Sequence, residues 1–403
     1  MRLCNINSLY LTGASEPKRF EHCLGVYHLA NLWTQSRPLS SRRKQVVRAA
    51  ALLHDLQTGP FGHSFQYVME DNPFEQRFEH ANIAGGVSRQ FLQLAQAGAH
   101  FAGRAFAVTE LLGDLASDVF AAIAGEGEFG PIISGTLDLD NLDNVIRLAF
   151  HMGLCTDLDR ALPRALAPLL EPVDGGLAAP GEAHPLLERW FVIRRVLYEF
   201  LLLDRGEFAA KAMLTLAVEL AVEASLLGPD DWRLTDEELL VALHDRSIGE
   251  HQAISQLVKR LRVGDLFECL GVWQTGDVSE YTRVSASKDK RDLERAIEED
   301  LARQGGPKLR ICLHYILDRK KTCRSLSYHD LNTREEKSVG YDSSKLLIGA
   351  FIVNARTTAL SAHERQRVSG ATKRALEHTG LGRLQKAPEP LAEPAGTSEL
   401  FDI

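Results

Sequence analysis

Ala50-Ala51-Leu52-Leu53-His54-Asp55-Leu56-Gln57-Thr58-Gly59-Pro60-Phe61-Gly62-His63 is an apolar run that ends in a His-Asp pair, breaks at Gly-Pro and reaches a further histidine. A histidine and an aspartate at the end of a buried helix cost free energy to desolvate unless something pairs with them. A divalent metal ion accepts imidazole nitrogen and carboxylate oxygen together, and is the natural partner for such a pair.

Two companion stretches extend this reading. Upstream, Arg19-Phe20-Glu21-His22-Cys23-Leu24-Gly25-Val26 carries one histidine, and downstream Ile133-Ser134-Gly135-Thr136-Leu137-Asp138-Leu139-Asp140-Asn141-Leu142-Asp143 carries a run of carboxylates. His22, His54, Asp55 and Asp140 together make a two-histidine, two-carboxylate set. That set suits iron, manganese, zinc or magnesium rather than a thiophilic metal. Arg19 lies three residues before His22 on the same helical face, where a guanidinium can clamp a phosphate. His63 and His80 are the remaining candidates for acid-base work. Asp138 and Asp143 read as helix-capping or structural carboxylates.

The 403 residues, 45% of them hydrophobic, suffice for a large core, read as one big domain and a smaller lobe. A net charge of -8 gives no sign of a general nucleic-acid or membrane-surface binder. The six cysteines are scattered without a CxxC pair, so they read as reduced buried thiols of a cytoplasmic protein. The apolar stretch 211–227 contains Lys211, Glu219 and Glu223 and reads as a core helix rather than a membrane span.

Periodicity predicts helices over 19–34, from Ser40 or Ser41 to His54, near His63, over 76–93 and over 138–152. Residues 172–185 read as a Gly/Pro-rich loop. Long helices follow over 186–204, 206–227 and 235–246, then a short one over 250–261. After 261 the texture changes to strands near 267–273, 309–317, 325–330 and 346–353, with helices over 288–304 and 361–378. The fold class is therefore mainly α, a helical core over 1–261 with a smaller C-terminal α+β lobe over 262–384. The Pro-containing residues 385–403 read as a disordered tail.

The three motif stretches resemble those of the HD-domain phosphohydrolase superfamily, above all its deoxynucleoside triphosphate triphosphohydrolase branch. RFEHCLGV at 19–26 is similar to that branch's RFEHSLGV, HDLQTGPFGH at 54–63 to its HDLGHGPFSH, and the stretch 133–143 to its ISGxLDxDxLDY. The resemblance implies metal ligation by His22, His54, Asp55 and Asp140, phosphate contact by Arg19, and His63 and His80 near the scissile phosphate. It implies cleavage of a dNTP at the α-phosphorus by metal-bound hydroxide, giving nucleoside and tripolyphosphate. It also implies a homo-oligomer, with the C-terminal lobe as the place for oligomer contacts or an allosteric nucleotide.

Thr58 stands where the branch has a second histidine, and Asn141 where it has Lys or Arg. Asn144 stands where it has the Tyr that packs under the deoxyribose, and Leu148 where it has Asp. The metal set is intact while sugar and phosphate contacts change, so a modified nucleotide, a ribonucleotide or another phosphoester fits as well. Two further classes of function are open. One is an HD phosphodiesterase or nuclease acting on an oligonucleotide or cyclic nucleotide, for which Lys308, Arg310, Arg319, Lys320, Lys321 and Arg324 supply a basic run. The other is a nucleotide-binding sensor without turnover.

Overall fold

The computed structural model of the chain describes residues 17–71, 100–101, 104–105, 108–173, 176–279, 281–306, 308–318, 320–353 and 360–389. The helix expected over 76–93, with His80, lies outside them.

The chain opens with α1 (Arg19–Gln35), α2 (Ser41–Leu53) and α3 (His63–Asp71). Ser40 caps α2 through its hydroxyl, which accepts from Arg43 N at 3.4 Å. A two-residue ladder, His100–Phe101 with Arg104–Ala105, precedes α4 (Ala116–Ile123) and α5 (Leu139–His151). Asp138 caps α5, accepting from Asn141 N at 2.6 Å. Then come β1 (Glu171–Val173), β2 (Gly176–Ala179), α6 (Ala183–Leu203), α7 (Arg205–Glu223), α8 (Asp236–Arg246) and α9 (Gln252–Arg262). The stretch 172–185 is thus not one loop. Its Gly and Pro residues bound two short strands, and the next helix begins at Ala183, two positions after Gly181.

Beyond α9 lie β3 (Glu268–Thr275), α10 (Ser287–Arg303), β4 (Ile311–Leu317), β5 (Cys323–Asp330), β6 (Glu336–Ser343), β7 (Leu346–Ile352), α11 (Ala362–Leu376) and β8 (Gln385–Lys386). One antiparallel sheet runs β8-β3-β7-β4, with β7 buried along its whole length at the centre. Gln385–Lys386, expected to open a tail, instead pair with Gln274 and Trp273 as an edge strand. The second sheet runs β1-β2-β5-β6. Here the β5–β6 hairpin joins β2 in parallel register, Ala178 against His329 and Ala179 against Asp330. β6 carries one buried apolar residue, Val339, so its sequence shows no alternation to read.

The fold is mainly α with sheet in the C-terminal part, as expected. The hydrophobic cores nevertheless cross residue 262. Leu326, Tyr328 and Val339 of the hairpin belong to the core built on Trp33 and Trp190. A second core joins Phe61, Phe65 and Trp232 to Val272, Cys312 and Phe351. No described helix is long and apolar enough to cross a membrane.

α1 packs against both α2 and α5, and this brings the ends of the three motifs together. The turn after α2 is held by residues far along the chain. Trp232 Nε1 donates to Gln57 O at 2.9 Å, and Phe61 N donates to Asp236 Oδ1 at 2.7 Å. Gly59 lies so close to the Trp232 ring that a Cβ there would meet it at 2.9 Å. Phe61 adopts φ 53, a left-handed conformation that a non-glycine residue holds only where its surroundings enforce it.

Candidate metal centre

His22 faces inward from the first turn of α1 and is fully buried. His54 is the C-cap of α2, with Asp55 next in the turn, and Asp140 projects from the first turn of α5. One ligand atom each from His22, His54 and Asp140 lies within 4.8 Å of the others. His22 Nε2 is 2.9 Å from Asp140 Oδ1, 3.2 Å from His54 Nε2 and 3.8 Å from Asp55 Oδ2. His54 Nε2 is 3.6 Å from Asp140 Oδ1 and 3.8 Å from Asp55 Oδ2. Asp55 thus reaches both histidines while standing outside the closest triad.

The other ring nitrogens decide the chemistry. His54 Nδ1 lies 2.9 Å from the carbonyl of Ala51, which only accepts, so Nδ1 donates. His22 Nδ1 lies 2.8 Å from Asp143 Oδ2 and donates to that carboxylate. With both Nδ1 atoms committed as donors, the two Nε2 atoms face one space, which either a proton or a metal ion fills. Two imidazole lone pairs 3.2 Å apart repel unless a cation lies between or beside them. Burial disfavours an imidazolium at His22, but hydrogen bonds to Asp140 and Asp143 outweigh it and raise this residue to about 10. His54 is also raised: burial opposes, and Asp55 and Asp140 prevail. Asp140 is pulled below the usual carboxylate range by the two histidines against the effect of burial. The pocket is built to hold positive charge, and a divalent ion fits this donor set with its outward nitrogens already anchored. Cys23 adds no thiolate, since burial and then the charge of Asp55 push its thiol up to about 12.

Arg19 Nη1 donates to Asp55 Oδ2, and its own Nε is buried without a partner. Asp55 Oδ1 accepts from Thr58 Oγ1 at 2.9 Å. Thr58 therefore orients the Asp55 carboxylate. Asn141 turns away and donates through Nδ2 to Asp138 Oδ1 at 2.8 Å. Asp138, beside Asp140, is pushed up to about 7, chiefly by burial. Asn144 stands one turn after Asp140 on α5, and its Oδ1 is buried without a hydrogen-bond partner. Leu148, a turn further on, is a core residue. His63 opens α3, and its side chain lies outside what the structure describes, as does all of His80.

Asp143, read from the sequence as a structural carboxylate rather than a ligand, stands outside the ligand cluster and supports one of its members. It holds His22 Nδ1 on one side, and Arg147 grips it from the other, Nε to Oδ2 at 2.8 Å and Nη2 to Oδ1 at 2.9 Å. Its spacing of three from Asp140 was the available signal, because a ligand and the residue that orients another ligand share one helical face. The basic run 308–324 forms no free stripe among the described residues. Lys320 pairs with Asp342, Arg310 lies 3.7 Å from Glu298, and Lys308 and Lys321 also have partners.

Comparison with known proteins places an HD domain over residues 19–145. The uncharacterized protein YwfO of Bacillus subtilis is 27% identical over 173 residues, 40% of this chain and 36% of that protein. A deoxynucleoside triphosphate triphosphohydrolase SAMHD1 homolog of Dictyostelium discoideum is 36% identical over 73 residues, 16% of this chain and 14% of that protein. The uncharacterized protein MG461 of Mycoplasma genitalium is 25% identical over 233 residues, 52% of this chain and 51% of its own length. These matches span about half or less of the length of each relative. Among solved structures, a phosphohydrolase from Bacteroides thetaiotaomicron shares the fold with a TM-score of 0.59 at 16% identity, covering 87% of this chain and 91% of that one.

Proposed function

We propose that this chain, whose residues 19–145 match the HD domain, is an HD-domain phosphohydrolase that hydrolyses (deoxy)nucleoside triphosphates to nucleoside and tripolyphosphate with a divalent metal ion held by His22, His54, Asp55 and Asp140. The observation that carries the reading is the convergence of the two Nε2 atoms on Asp140 while both Nδ1 atoms are anchored, to Asp143 and to the Ala51 carbonyl. A bound divalent ion supplies Lewis acidity toward a phosphoryl oxygen and makes a water more acidic.

The chain's own groups do the rest. Asp143 and the Ala51 carbonyl keep the imidazoles in the ligating tautomer without reorganisation. Arg19 lies next to Asp55 with its Nε unspent, which supports a role in taking a phosphate oxygen. The unpaired Asn144 amide oxygen is an acceptor waiting for a donor, such as a sugar hydroxyl. The stretch of 36% identity to the Dictyostelium triphosphohydrolase homolog supports a nucleotide substrate. His63 and His80 belong to this proposal as groups near the scissile phosphate.

A turnover screen tests it. The Mn²⁺- or Fe²⁺-loaded protein is incubated with each dNTP and NTP, singly and mixed, and products are separated by anion exchange. Nucleoside with tripolyphosphate is the expected product pair. Bound metal with no turnover of any nucleotide, alone or in mixtures, refutes the proposed substrate.

A further inference from the structure

α6 and the β5–β6 hairpin line a cavity of ≈250 Å³, whose lining includes Glu188, Phe191, Arg194, Arg195, Arg324 and Tyr341. The charge in it is one-sided, three guanidinium groups against one carboxylate. Arg194 is only 4% exposed, and its Nε is buried without a hydrogen-bond partner. Its Nη1 donates to the Lys321 carbonyl at 2.6 Å, and its guanidinium lies over the Tyr198 ring at 4.8 Å. Asp318, the carboxylate whose field reaches it, is already engaged by Thr322 N at 2.9 Å and Thr322 Oγ1 at 2.5 Å. Among the described residues no ion pair forms to Arg194, Arg195 or Arg324.

A buried guanidinium without a counter-charge is expensive, and a second one nearby makes it more so. Burial lowers the pKa of Arg194, and Arg324 adds to that lowering. Arginine does not escape by losing its proton, so the arrangement calls for an anion. Planar guanidinium forks match phosphoryl oxygens two at a time. The volume is below the range of about 300–1,000 Å³ usual for whole small-molecule ligands, which leaves room for a phosphate chain but not for a base and sugar as well. The floor is fixed by a close approach. Gly340 has φ +79, and a Cβ there would meet the Arg324 carbonyl oxygen at 2.3 Å, so β6 can lie against Phe191 of α6 only with glycine at this position.

We propose that this cavity is an anion site for phosphate or a short polyphosphate chain, with Arg194 as its buried wall and Arg195 and Arg324 as its closing arms. It stands apart from the metal set in its residues, and Tyr198 lies between the two electrostatic environments. That tyrosine lies under Arg194 and feels the charges of Asp140 and Asp138.

The test is calorimetric titration of the full chain with inorganic phosphate and then tripolyphosphate at low salt, in a chelating buffer, for the wild type and for R195Q–R324Q. Both substituted arginines are at least partly exposed, so the double variant should fold, which circular dichroism checks. Saturable binding of one anion per chain is expected, weakened by about tenfold or more when the two charge-assisted contacts are lost. Equal affinity in wild type and double variant, or no saturable binding by the wild type, overturns the site. Phosphate should also raise the thermal midpoint of the wild type and not that of R194M; an equal rise in both counts against it. Competition by a dNTP identifies the phosphate chain of a nucleotide as the occupant, and its failure identifies free phosphate or polyphosphate; either result supports the site.

Discussion

His22 Nδ1 lies 2.8 Å from Asp143 Oδ2, and this single contact determines which nitrogen of His22 is free to meet a metal. Substituting D143N keeps the shape and removes the charge that orients the ring. Metal affinity is expected to fall by about 10–100-fold while the helical circular dichroism stays unchanged. Metal titration checks it, and unaltered affinity would show that Asp143 only packs.

Gly25 controls the same contact from α1. A Cβ at this position would come 2.1 Å from Asp143 Oδ1 and 2.3 Å from Arg147 Nη2. G25A therefore displaces both groups or pushes α1 away from α5. The expected result is reduced metal content together with a stability loss of about 1–3 kcal/mol, as for an overpacked core. Denaturant unfolding and metal analysis of the same sample read both quantities.

Metal should stabilise the fold by mass action. With Mn²⁺ at about a hundred times its dissociation constant the gain is about 2.7 kcal/mol, seen as a raised thermal midpoint that chelator reverses. In H54A and D140A the rise should vanish. A variant that keeps its fold and also keeps the full metal-dependent rise would refute the ligand set.

Stability should fall from mild acid toward neutral pH through Glu294. Burial, incompletely offset by the Leu313 amide at 2.7 Å and by Lys290, raises its carboxyl from 4.5 to about 7. Glu219 pushes in the same direction and Arg291 against it. A folded-state value above the unfolded one means that the native state holds the proton more tightly. Its contribution is fully present below pH 4.5 and is lost as pH rises to about 7, amounting to about 3 kcal/mol. E294Q retains an acceptor for Leu313 N and should flatten this slope, making the variant more stable than wild type at pH 8. Chemical denaturation at pH 5 and pH 8 decides it; parallel pH dependence in the two proteins would exclude Glu294 as the source.

The turn that follows Asp55 depends on Asp236, which accepts from Phe61 N at 2.7 Å. D236A leaves that buried donor unsatisfied at a cost of about 1–3 kcal/mol. It also releases the left-handed Phe61 and should loosen the His54–Asp55 end of α2. Lower stability together with weaker metal binding is expected. A stability loss with metal affinity intact would separate the turn from the site.

Much of this was legible in residue order because the relevant information is local. Apolar periodicity placed α1, α2, α5, α6 and α7 to within a few residues, and Ser40 and Asp138 marked helix starts by the hydrogen bonds their side chains make. The motif positions read His22, His54 and Asp140 at helix ends, and the packing of α1 on α2 and α5 brings them together. β1, β2 and β6 were not legible, since short strands with little apolar alternation take their pairing from neighbours distant in the chain.

The sequence by itself determined a mainly helical protein whose histidines and carboxylates recur at helix-end spacings, because side-chain direction on a helix follows from local geometry. Only the tertiary structure decided that Asp143 serves His22, that Arg19 lies on Asp55, that Trp232 and Asp236 pin the turn after the His-Asp pair, and that three arginines from α6 and β5 share one cavity. The physical reason is the same in each case. Those contacts join residues far apart in the chain, and their partners are chosen by how helices and strands pack, which no local pattern of residues encodes.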